Sequence, residues 1–228
     1  MTMTKTLLAL VIGALIAPVA LAADMALPKN MPAYGADKPL PVPEIARKTL
    51  DNGLTVWVVP RDGVPRVDYV LAFKNAGLAA DPVDRPALAS MVAAMLSEGT
   101  EKLDSKAIAE AAQGYGGSVG AGAGNDGLTV YANATASNAE PMLQLMSQIV
   151  RTPTFPENEV ALAKANALQG LKAAEAQPGF RAERAMLTAV YGDHPYSRTQ
   201  ATEASINAVT REELQAAYQQ RLRPDQAL

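Results

Sequence analysis

The order of local patterns limits most strongly what this chain can fold into: strand-forming segments fill its first half and helix-forming segments its second. Residues 55–59 (TVWVV) are β-branched and aromatic and follow an Asn52-Gly53 turn signal. Residues 67–74 (VDYVLAFK) make a second strand candidate, and 118–124 with 128–135 make a strand pair around Asn125-Asp126-Gly127. Between them, a helix is predicted over 84–98: Pro86 suits a first turn, Leu88, Met91, Val92, Met95 and Leu96 recur at helical spacing, and Gly99 ends the run. A shorter helix, capped by Asp104 or Ser105, runs to Gln113 and stops at the glycines that follow. Beyond Asn138 the pattern is helical throughout. One helix turns Leu143, Met146, Ile149 and Val150 inward. A long one opens at Pro156 and runs to about Gln177, where Pro178-Gly179 breaks it. Another spans 182–191, and a last one follows the capping box of Thr210 and Glu213, with Leu214, Ala217 and Tyr218 inward. This order predicts an α+β domain, an antiparallel-rich sheet with helices packed on one face.

The 228 residues, 49% hydrophobic and 19% charged, suffice for one core. A net charge of −3 without any basic block gives no footprint for nucleic acid. Lys5 precedes an apolar run from Leu7 to Ala22 that ends in Ala20-Leu21-Ala22, an A-x-A cleavage signal. The run is short of the roughly 20 residues that a membrane span needs. Residues 1–22 are therefore expected to be a signal peptide cut between Ala22 and Ala23, leaving a chain with no membrane attachment. With no cysteine the chain has neither a lipoprotein anchor nor disulfides. The implied address is a bacterial periplasm, or the medium. Residues 23–46 carry Pro28, Pro32, Pro39, Pro41 and Pro43 and read as a stiff, extended linker. The folded domain is assigned to 47–228.

Chemistry-bearing groups are sparse. Ser90 and Ala94 stand four apart with Ala93 beside them, a small-residue face expected to pack closely on a neighbouring helix. Ser90 lacks the G-x-S-x-G elbow of a nucleophilic serine. His194 is the one imidazole in the chain, and a catalytic zinc normally takes three ligands from His, Cys and carboxylate. His194 itself, before Pro195, reads as a capping or hydrogen-bonding turn residue. The glycine-rich run 114–127 (GYGGSVGAGAGNDG) has no Gly-Lys-Ser/Thr after it, so it reads as a helix end and closely approached strands rather than a phosphate loop. Arg181, Glu183 and Arg184 read as a solvated helix face.

Several stretches together resemble the insulinase-like peptidases, family M16. Leu50-Asp51-Asn52-Gly53-Leu54 resembles that family's opening strand turn. Pro153-Thr154-Phe155-Pro156 is similar to the lead into its long helix, Tyr191–Tyr196 (YGDHPY) to its HPY turn, and Arg223-Pro224-Asp225 to the turn before its last strand. Asp84 to Thr100 (DRPALASMVAAMLSEGT) resembles the helix that carries the inverted zinc motif H-x-x-E-H, in which two imidazoles bind zinc and the glutamate is general base to a metal-bound water. Counted back from Gly99-Thr100, the three motif positions fall on Ser90, Ala93 and Ala94, none of which can do that chemistry. The family's third ligand, a glutamate on the long helix, falls on Gln169 or Gly170, equally unable to ligate as a carboxylate.

The resemblance covers 47–228 and implies a zinc-less member with no catalytic, metal or cofactor-binding residue of its own. It implies an exported, non-catalytic subunit or half of a metallopeptidase, sharing a peptide-substrate chamber with an HxxEH-bearing partner subunit or chain half that holds the zinc. The alternative is a peptidase-like scaffold or binding protein with no role in proteolysis. A hydrolytic site rebuilt around Ser90 and His194 is a third reading. Ala227-Leu228 resembles the start of a strand, so the domain is expected to be truncated before its last strand and a second domain.

Overall fold

The computed structural model describes Gly35, residues 43–61 and residues 63–228. The expected signal peptide, its Ala22-Ala23 cleavage point and most of the linker lie outside the described residues. The chain enters the fold through a hairpin, β1 (Ala46–Thr49) and β2 (Thr55–Val58), paired antiparallel with Thr49 opposite Thr55. Its turn is the one that Asn52-Gly53 signals. Gly53 takes φ 86°, and the Asn52 side chain accepts the N–H of Leu54 at 3.2 Å.

The main sheet has three antiparallel strands, β3 (Arg66–Lys74), β4 (Ser118–Ala123) and β5 (Gly127–Thr135), in the order β3-β5-β4. β5 alternates in burial. Leu128, Val130, Ala132 and Ala134 are buried, while Tyr131 on the opposite face is exposed. Helices cover only the buried face, which gives the α+β layer that the order of patterns predicts. Among the glycines of the 114–127 run, Gly117 shows why the strand needs one: a Cβ there would overlap the backbone carbonyl of Asn133. Past the last helix the chain returns to the sheet. Ala227 bridges Phe73, Leu228 exchanges backbone hydrogen bonds with Ala72 (2.7 and 3.0 Å), and the N–H of Thr55 reaches the Ala227 carbonyl at 3.3 Å. The chain's last two residues thus lie between β3 and the β1–β2 hairpin.

Among the described residues seven α-helices form, α1 (Leu88–Met95), α2 (Ser105–Gly114), α3 (Ala139–Arg151), α4 (Glu157–Glu175), α5 (Pro178–Tyr191), α6 (Glu203–Ala208) and α7 (Arg211–Arg221); six follow the predicted order with shifted ends, and α6, held by a capping box of Thr202 and Ser205, is one that the sequence reading does not contain. The largest correction concerns α1, expected over 84–98. Ala87 adopts a left-handed conformation (φ 69°), so Pro86 belongs to the preceding turn and the helix starts at Leu88. α3 buries Met142, Leu145, Met146 and Ile149, a stripe spaced i, i+3, i+4, i+7; Leu143 lies off it and is 48% exposed, not inward. α4 ends two residues early, at Glu175. Pro178 separates α4 from the next helix as expected, but it also opens α5, which starts at 178 rather than 182, because a missing N–H costs nothing in a first turn. α2 and α7 match their caps: Asp104 accepts the Ala107 N–H at 2.8 Å, and Thr210 and Glu213 exchange both bonds of a capping box.

Candidate functional site

The site is built on α1, which packs on the inner side of β4 and against α4 and α7. Its N-terminus is fixed by Asp81, a nearly buried carboxylate whose two oxygens accept the Ala89 N–H at 3.1 and 3.2 Å. A carboxylate at a helix N-terminus answers both the orphan N–H groups and the positive end of the dipole. Arg221, at the end of α7, closes on the same carboxylate at 2.6 Å and donates to the Ala80 carbonyl at 3.1 Å. Burial pushes the Asp81 carboxyl above its usual range, against the opposing pull of Arg221 and the Ala89 N–H.

The other end of α1 is tied to the start of α4. Gly99 sits where a Cβ would press on the Pro156 ring at 2.9 Å, and its carbonyl accepts the Thr154 N–H at 3.0 Å. Phe155, buried at φ 49°, packs its ring against Tyr218 with centroids 5.7 Å apart. Arg211 holds this strained turn by donating to the carbonyls of Phe155 (2.7 Å) and Thr154 (3.1 Å). Both ends of α1 are thus pinned by contacts far apart in sequence, and α4 is set at a fixed place beside it.

Of the residues singled out in the sequence, Ser90 on α1 and Gly170 on α4 line one recess of about 310 Å³. Ala167, Gly170, Leu171 and Ala174 form a single stripe of α4 along its wall, and Gln169 lies off that stripe. Ser90 and Ala94 are exposed, and only Ala93 is buried. The expected close packing of all three small residues against a neighbouring helix is therefore corrected. Ser90 borders the recess, Ala94 is exposed, and the helix packs through Leu88, Val92, Ala93 and Met95 instead.

The chemistry of this set does not fit a zinc ion. A hydroxyl, two alanine methyls and a glycine offer no imidazole, thiolate or carboxylate, and zinc takes those donors. Among the described residues no three His, Cys, Asp or Glu side chains converge as a metal would need. His194 is engaged elsewhere, its Nδ1 accepting the Tyr196 N–H at 3.3 Å as the cap of a short 3-10 turn, in keeping with the turn role read from the sequence. That turn is joined to the β4–β5 loop by the Tyr196 phenol, which donates to Asp126 at 2.6 Å.

The solvated helix face expected around Arg184 is corrected as well. It bonds Glu175 (3.0 Å), Gln200 (3.1 Å) and the Ala201 carbonyl (2.9 Å), tying α4, α5 and the 199–201 segment around the recess. Asp81 and Arg221 carry no local signal at all: their partners lie 8 and 140 residues away.

The family model for insulinase, peptidase family M16, matches residues 69–221. The chain is similar to an uncharacterized zinc protease of Rickettsia felis, 25% identical over 151 residues, which cover 65% of this chain and 36% of that one. Among solved structures it resembles a peptidase M16 inactive domain from Pseudomonas fluorescens at 29% identity (TM-score 0.69), over 76% of this chain and 42% of that one. It also resembles the first half of the periplasmic protease PqqL from Escherichia coli at 18% identity (TM-score 0.72), over 82% of this chain and 42% of that one. The chain thus spans less than half the length of these relatives.

Proposed function

Because the chain belongs to the insulinase family, peptidase family M16, we propose that it is the non-catalytic half of an exported metallopeptidase of that family. It pairs with an HxxEH-bearing half that supplies the zinc and the general base, and contributes a wall of the chamber that holds peptide substrate. The observation that carries this reading is the contrast at α1. The frame that would present a metal site is pinned at both ends, by Asp81 and Arg221 and by Gly99 and Pro156, while Ser90, Ala93, Ala94 and Gly170 bring no donor into it. One half carrying the frame and the other the chemistry accounts for both facts.

The sheet supports a peptide as the ligand class. Among the described residues no strand pairs with the outer edge of β4, beside α1, so its free N–H and C=O groups can add one extended strand. Export to the periplasm rests on the Lys5–Ala22 leader pattern.

The test is a mixing assay with the exported HxxEH homologue of the same host. This chain alone should cleave nothing, and its addition should raise the partner's turnover of an unfolded polypeptide. Equal rates with and without it would replace this reading with the scaffold that takes no part in proteolysis.

A further inference from the structure

We propose that Asn52, at the tip of the β1–β2 hairpin, is a spontaneous modification site, converted without any enzyme to aspartate and isoaspartate. It is the one asparagine in the chain followed by glycine, and it is exposed. Gly53 has no side chain to crowd its own backbone nitrogen, the atom that has to attack. The Asn52 Oδ1 accepts the Leu54 N–H at 3.2 Å, which folds the side chain back along the Asn52–Gly53 peptide. The same bond draws electrons from the side-chain carbonyl and is placed to steady negative charge on its oxygen. The restraint on the reaction is one hydrogen bond, from the Gly53 N–H to the Leu50 carbonyl at 2.9 Å, and an exposed turn opens such a bond at small cost.

The reaction needs only water and hydroxide. The Gly53 nitrogen gives its proton to hydroxide and bonds to the Asn52 Cγ. The Cγ–Nδ2 bond breaks, and the amide group takes a proton from water and leaves as ammonia, closing a five-membered succinimide. Water then opens the ring. Cleavage between Cγ and the Gly53 nitrogen leaves aspartate. Cleavage between the Asn52 main-chain carbonyl carbon and that nitrogen leaves isoaspartate, whose main chain runs through Cβ and Cγ. Either product replaces a neutral amide with a carboxylate.

The isoaspartate product matters because this turn sets the hairpin. The Leu50 N–H closes it on the Leu54 carbonyl at 2.8 Å, and Thr49 then faces Thr55. Loop length fixes the register of a hairpin, and isoaspartate lengthens the loop by one main-chain atom. The turn has little slack to absorb it, since even a Cβ on Gly53 would come within 3.0 Å of Asp225. The new carboxylate also joins Asp51 in a turn that already packs on Asp225. Through the Thr55 N–H, 3.3 Å from the Ala227 carbonyl, a loosened hairpin frees the chain's last residues on one side.

The experiment ages the folded chain at neutral and at mildly alkaline pH. Peptide masses follow each asparagine, and a protein-isoaspartate methyltransferase labels the product. Asn52 should convert first, and faster in alkali, because the attacking nitrogen must lose its proton. Asn125 is the internal control: it is exposed in the β4–β5 loop but is followed by Asp126. Asn52→Gln, whose side chain is one carbon longer, should abolish the label. Hydrogen exchange of the β1 and β2 amides should quicken in the aged chain. It should not quicken in Asn52→Asp, which carries the charge on a main chain of normal length. Conversion of Asn125 as fast as that of Asn52, no isoaspartate at position 52, or hairpin exchange unchanged by conversion would overturn the proposal.

Discussion

Single residues carry two sharp consequences of this fold. Gly117 is the tightest. Because its missing Cβ would overlap the Asn133 carbonyl, Gly117→Ala has to push β4 away from β5. The expected cost is about 1–3 kcal/mol of stability, read from urea denaturation. Glu98, half-buried just beyond α1, has its carboxyl raised above the usual range, first by burial and then by the charge of Glu159. A raised folded-state pKa means that Glu98 favours the native state while protonated, and that this contribution is lost as pH rises through the folded value. Glu98→Gln should therefore match the parent near pH 3 and be the more stable of the two at pH 7, in paired thermal melts. Equal melting temperatures at both pH values would contradict the assignment. The turn and cap residues were legible in the sequence because their constraints are local: Asn52-Gly53, Asp104 and Thr210 all do what their neighbours dictate. Asp81 was not, since its partner Arg221 is 140 residues away.

At the scale of elements, the helices and strands were legible and their ends were not, and α1 shows why. The apolar spacing from Leu88 to Leu96 identifies the helix, but its start is set by the left-handed Ala87 and by a carboxylate reaching in from Asp81. Neither is encoded in the periodicity of the helix itself. The exposed face of α1 is not encoded in its spacing either, for a related reason. Small residues at i and i+4 signal close packing only if another element covers them, and here Ser90 borders a recess that α4, with its own small residues, leaves open, while Ala94 is exposed. The Asp81–Arg221 pair should be the main tie between α1 and α7, with the two side chains only 2% and 10% exposed. Arg221→Ala leaves a buried carboxylate without its cation and is expected to cost about 3–5 kcal/mol at neutral pH. A loss under about 1 kcal/mol in chemical denaturation would mean that water serves Asp81 as well as Arg221 does.

For the whole molecule, the family frame was legible because its turns stand where the backbone asks for a particular residue type, glycine at positive φ or proline at a helix start. Gly53 at φ 86°, Gly192 at φ 52° and the Pro156 start of α4 stand where the resemblance put them. The recess was not legible, because it exists only where α1, α4, α5 and the 199–209 segment meet. The central claim is that this meeting point is the position of a metal site whose donors are absent. Its most direct measurement is to put ligands there. Ser90→His and Ala94→His place two imidazoles one turn apart on an exposed face, and Gly170→Glu adds a carboxylate from across the recess. Ala93 is left alone, since a glutamate there would be buried. Isothermal titration of the triple variant with zinc should give one site per chain, at least about tenfold tighter than any binding by the parent, which should hold no zinc on elemental analysis. A folded triple variant that binds zinc no better than the parent would contradict the placement of the site, and with it the reading of this chain as a metallopeptidase half that has lost its metal.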